Sequence, residues 1–85
     1  MRSNQVKIEL HHLEFRTLKA NGMISGMCSS YLATAKRQGD YMVIDISIQE
    51  ANDFAGWVAA EANHAETDEE SDLLNSACDA IELQI

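Results

Sequence analysis

The residues of this chain with the widest chemical reach are three histidines and two cysteines: His11, His12, His64, Cys28 and Cys78. Imidazole and thiolate groups hold zinc when they recur at spacings such as C-x-x-C or H-x-x-x-H, where one local element presents two ligands to one ion. No pair here has that spacing, so ordinary histidines and thiols are expected and no metal is. A nucleophilic cysteine needs a helix start or a basic cluster to favour its thiolate, and Cys28 falls in an expected strand with neither. Carboxylates are plentiful, but a general acid needs a pocket that disfavours its charge, and these carboxylates fall on expected solvent faces. Gly22, Gly26, Gly39 and Gly56 are too dispersed to form a phosphate-cradling loop. The expectation is a non-enzymatic protein with no catalytic residues and no cofactor.

The elements that must position the acids are clearest in residues 47–85. Ser47-Ile48-Gln49-Glu50 fits a capping box, in which the serine hydroxyl and the glutamate carboxylate each accept from a backbone N–H near the helix start. Behind it, Ala51, Phe54, Ala55, Val58, Ala62 and Ala65 recur at helical steps. Thr67-Asp68-Glu69-Glu70 repeats the box, followed by Leu73, Leu74, Ala77, Cys78 and Ile81. Acids in that first turn also suit the positive end of the helix dipole, which accounts for Asp68, Glu69 and Glu70 without any partner.

The first half reads as strands. Residues 1–4 make a frayed terminus. Val6, Ile8 and Leu10 then alternate with Lys7, Glu9 and His11, giving one apolar face. Asn21-Gly22 is a strong hairpin signal, since both residues tolerate the positive φ of a type I′ turn. Residues 23–36 would form the return strand. Gln38-Gly39-Asp40 makes a second turn, and Tyr41 to Ser47 a third strand with Met42, Ile44 and Ile46 facing the core. A two-residue turn at Gln38-Gly39 pairs Ala35 with Met42, Ala33 with Ile44 and Tyr31 with Ile46. A bulge at Gly26 brings Leu13 opposite Tyr31 and Phe15 opposite Ser29, which keeps charges off the core face. The rival is a helix over residues 10–20, closed by Asn21-Gly22. Strands are preferred because Leu10, Leu13, Phe15 and Leu18 scatter around a helical wheel. The expected fold is α+β, one domain over residues 1–85: a three-stranded antiparallel meander followed by two C-terminal helices packed on one face.

Length and charge narrow the function. A chain of 85 residues leaves a large share of its surface exposed. Its net charge of −8 argues against direct binding to nucleic acid or to an anionic membrane. No apolar run is long enough to span a bilayer and no signal-peptide core follows Met1. Two isolated cysteines point to a reducing compartment with free thiols, a single disulfide staying open. A cytoplasmic location is expected. An exposed sheet edge also leaves homodimerisation open.

The charge is unevenly spread. Residues 1–49 hold six bases and four acids, whereas residues 50–85 hold ten acids and no base. A solvated face that keeps a small protein soluble is one reading. The other is a surface that engages a basic protein partner, with Asp53, Glu61, Glu66, Asp68, Glu69, Glu70 and Asp72 as contacts and Trp57 as a candidate anchor.

A short, strongly acidic α+β chain with this base-free stretch resembles the inhibitors that phages and other mobile elements encode, of the anti-CRISPR and anti-restriction type, and inhibitors of DNA-repair glycosylases. The resemblance implies an acidic decoy that occupies a nucleic-acid-binding site on a host protein, acting in the host cytoplasm. The alternative is a structural or regulatory subunit that works as a homodimer or in a complex through its sheet.

Overall fold

The computed structural model describes residues 5–85; the terminus expected to fray, residues 1–4, lies outside them. In chain order the elements are β1 (Gln5–His11), α1 (His12–Ala20), α2 (Gly22–Met27), α3 (Ser29–Ala33), β2 (Lys36–Gln38), β3 (Tyr41–Ser47), α4 (Ile48–Asn63) and α5 (Asp68–Leu83). The protein is α+β, with a three-stranded antiparallel open sheet followed by two helices that pack together.

The sheet order is β1-β3-β2, which places the third strand in the middle. Val6, Ile8 and Leu10 lie opposite Ile46, Ile44 and Met42, so the alternating apolar residues of both long strands share one face. That face meets α4 through Ala51, Phe54, Ala55, Val58 and Ala62, and α5 through Leu74, Ala77, Cys78 and Ile81.

The path between β1 and β3 differs from the expected one. Residues 12–33, expected as a hairpin with its return strand running to residue 36, form three short helices instead. Their apolar residues Phe15, Leu18, Ile24, Cys28 and Leu32 are all buried in the common core. Leu13, which spoiled the helical wheel, is 47% exposed and takes no part in that face. The start of α1 carries no serine or threonine. His11 stands in the N-cap position, where its Nδ1 accepts from Leu13 N–H (3.2 Å) and Glu14 accepts from His11 N–H (3.0 Å). The His12 N–H donates to Asp40 O (2.9 Å), which ties this helix start to the β2–β3 turn.

Asn21-Gly22 is a junction between helices rather than a hairpin turn. Asn21 N–H donates to Thr17 O and Leu18 O, closing α1, while Asn21 Oδ1 accepts from Ile24 N–H (3.0 Å) to open α2. Both capping roles are met at ordinary φ, and Gly39 alone among the described residues has positive φ, at 63°. Gly26 lies inside α2, so no bulge forms there. The second turn is centred one residue later than expected, on Gly39 and Asp40. The register accordingly pairs Lys36 with Val43, Arg37 with Met42 and Gln38 with Tyr41, in place of the Ala35, Ala33 and Tyr31 pairings.

The sheet's edges are both blunted. At β1, the Gln84 side chain accepts from Glu9 N–H (2.8 Å) and donates to Glu9 O (3.0 Å), as a neighbouring strand would. The β2 edge is three residues long and carries Lys36 and Arg37. Charge and brevity are standard defences of an edge against pairing with another chain.

The two glycines test this path. Gly22 has open space around its Cα and ordinary φ, so Gly22→Ala should leave stability unchanged or raise it by about 0.4–1 kcal/mol. Gly39→Ala should lower stability by about 1–2 kcal/mol, since an alanine at positive φ is strained. Chemical denaturation of both variants measures this; the opposite ranking would restore the hairpin at Asn21-Gly22.

Candidate functional site

The two acidic helices are held at their starts as the sequence predicts, with one difference. At α4 the box is complete: Ser47 Oγ accepts from Glu50 N–H (3.1 Å) and Glu50 accepts from Ser47 N–H (2.9 Å). At α5, Thr67 Oγ1 accepts from Glu70 N–H (3.1 Å), but Glu70 does not reach back to the threonine, so the second box is half formed. Glu70 is half-buried and lines a groove.

The eight acid and aromatic residues singled out above fall into two sets. Asp53, Trp57 and Glu61 recur every four residues, forming one stripe of α4. This stripe faces α2 and α3: Asp53 lies close enough to Cys28 and Tyr31 to disfavour ionisation of both, and Glu61 accepts from Asn21 Nδ2 (3.1 Å). Trp57 between them is half-buried against the core, as a packing residue would be. Glu66, Asp68, Glu69 and Asp72 are exposed at the junction of α4 and α5, with Glu70 half-buried among them.

Four helix ends meet at that junction: the C-termini of α1 and α4 and the N-termini of α2 and α5. A groove of about 430 Å³ runs between Thr17 and Ala20 on one side and Thr67, Glu69, Glu70 and Leu73 on the other. It continues past Ala20 and Glu70 into a more polar recess of about 310 Å³, whose lining includes Asn21, Glu61, His64 and Glu66. Four carboxylates therefore line the two hollows, and no lysine or arginine does. Lys19, next to Ala20 in sequence, lies over the Phe15 ring (5.9 Å) and lines a separate recess beside Ser25 and Leu32. Thr17, Ala20 and Asn21 carry no site signal in the sequence, because the hairpin expected over this segment does not bring them to the acidic helices.

The histidines and cysteines do not converge. His11 and His12 stack with ring centroids 4.4 Å apart at one end of the sheet, while His64 caps the far end of α4. Among the described residues no three His, Cys, Asp or Glu side chains are placed to hold a metal ion. Both cysteines are free and buried. Burial, with the Asp53 charge adding to it, pushes the Cys28 thiol up to about 11. Burial also raises Cys78, helped by Glu82 and Asp79, and its Sγ lies 3.6 Å from Ala55 O. No helix among the described residues is long and apolar enough to cross a membrane.

Comparison of the chain with protein families, with curated proteins and with solved structures finds no match.

The buried thiols give a direct check on the core. Neither cysteine should react with a disulfide reagent near pH 8 in the folded protein, and both should react on unfolding. A thiol raised in the folded state stabilises the fold fully below the ordinary thiol range, near 8.5. That contribution is lost as pH rises through about 11. Unfolding monitored from pH 7 to 11 should therefore show falling stability at the alkaline end. Rapid labelling of the native protein at pH 8 would mean that the helix–sheet packing is misassigned.

Proposed function

We propose that the protein is a non-enzymatic binding protein, an inhibitor of the anti-CRISPR or anti-restriction type. Its acidic C-terminal helices engage a basic protein surface that otherwise binds nucleic acid. The single observation that carries this reading is the distribution of charge on α4 and α5. Between residues 50 and 85 stand ten acids and no base, and all but Glu61 and Glu70 of those acids are exposed. Helix-start chemistry accounts for Glu50, Asp68, Glu69 and Glu70. It does not account for Asp53, Glu61, Glu66, Asp72, Asp79 or Glu82, nor for the exclusion of every base. Like charges so placed repel one another and lower stability, so their retention without compensating bases favours a role outside the fold.

The physics of such a contact is long-range attraction between opposite surfaces. It raises the association rate, disfavours wrong partners and weakens as salt shortens the reach of the charges. A dimer built by joining sheet edges has less support, because Gln84 occupies one edge and Lys36-Arg37 the other.

Reversing Glu66, Glu69 and Asp72 to lysine should change stability by only about 0.5 kcal/mol apiece, these being exposed positions. The parent should capture a basic nucleic-acid-binding protein from host extract at low salt, and added DNA or RNA should displace it. The triple variant should lose that capture. Capture that survives both the reversal and competing nucleic acid would leave the acidic face a solvated surface.

A further inference from the structure

We infer that the groove where the four helix ends meet seats an arginine or lysine side chain of the basic partner; this deepens the reading just given and rests on it. The groove offers two chemistries side by side. Leu73, Ala20 and Thr17 line it together with Glu69 and Glu70, and Glu66 and Glu61 line the adjoining recess. A lysine or arginine side chain combines the same two, an aliphatic stem that covers apolar surface and a charged head that stays polar and wet. An aliphatic ligand would leave four carboxylates unmatched, and a bare cation would leave Leu73 and Ala20 uncovered. An anion is opposed by every charged side chain that lines the groove.

Charge complementarity is the argument for this occupant, and the surroundings strengthen it. No base of the chain itself lines either hollow, and Lys19 is turned onto Phe15. The C-terminal ends of α1 and α4 both border the site and carry partial negative charge. The N-termini of α5 and α2 would each favour an anion; the first is offset by Glu69 and Glu70 in its own first turn, and the second, belonging to a six-residue helix, is capped by Asn21 Oδ1. Arginine fits better than lysine where two carboxylates flank one head, because its planar fork can donate to both.

The test uses a short alternating Arg-Gly peptide as probe, with binding followed through backbone amide shifts at low and at high salt. Shifts centred on Thr17, Ala20, Thr67, Glu70 and Leu73 are expected. Ala20 is exposed, so Ala20→Trp fills the groove without altering net charge and should weaken binding about tenfold. Leu73→Asp separates charge from shape: a surface acting by charge alone would bind the peptide more tightly, whereas a groove that uses Leu73 to cover the stem binds it less. Circular dichroism confirms that each variant is folded, and Ala20→Trp decides the matter where Leu73→Asp is not. Undiminished binding by Ala20→Trp, with shifts spread over Glu50, Asp79 and Glu82, would overturn the groove while leaving the acidic-surface reading intact. Absence of peptide binding to the parent at low salt would overturn both.

Discussion

The structure depends on one seam, the contact between α4 and α5. Ala51, Ala55, Val58 and Ala62 on one helix and Leu74, Ala77, Cys78 and Ile81 on the other are buried in the common core. The small alanines let the backbones come close, and Cys78 Sγ against Ala55 O marks how close. Ser71 donates to Ala62 O (3.2 Å), tying the start of α5 to the end of α4. This seam must hold together two helices whose exposed charged side chains are all acidic. Burying one Leu, Ile or Phe side chain is worth about 1.5–3 kcal/mol, whereas an exposed like-charge pair costs only about 0.2–0.5 kcal/mol. Burial wins, and the fold can carry an acidic surface.

The rest of the architecture follows from covering the sheet. Two C-terminal helices leave part of the inner sheet face and the core's flank open, and the connection from β1 supplies what is missing. Three short helices lay Phe15, Leu18, Ile24, Cys28 and Leu32 onto the core, then deliver the chain to the far side of β3. One consequence is that α1 ends beside the α4–α5 junction, making a groove from what would otherwise be a flat acidic patch. Another is that the chain's final turn brings Gln84 alongside β1, where its amide fills the hydrogen-bonding positions of an absent strand. Ser76 donates to Glu14, the residue that also receives the His11 N–H, so α5 braces the start of α1 as well.

What the sequence reveals and what it conceals has a physical pattern. Helices α4 and α5 are legible because they are long, start with side chains suited to capping, and carry an uninterrupted apolar stripe. Strands β1 and β3 are legible because one of their faces is buried and the other, Val43 apart, is not. The middle of the chain misleads at particular residues. His11 caps a helix in a position where serine, threonine or an acid is usual. Leu13 is apolar yet exposed, so it blurs the period that Phe15 and Leu18 would otherwise show. Asn21-Gly22 has the composition of a hairpin turn, but the same asparagine can close one helix and open the next. Strand β2 has only three residues, all exposed, and therefore no pattern at all. The acidic junction is visible as a charge run; its groove is not, because one side of it, Thr17 and Ala20, comes from the segment expected as a hairpin.

The central claim is that the acids of α4 and α5 exceed what the fold needs and are kept at some cost to stability. Its most direct test is the unfolding free energy of the parent protein in sodium chloride. Raising salt from about 0.01 M to about 1 M shortens the screening length from about 30 Å to about 3 Å. If the acids chiefly repel one another, stability rises across that range. If stability stays level or falls, the acids are already balanced by their own helix starts and neighbours, and the surface is not held in reserve for a basic partner.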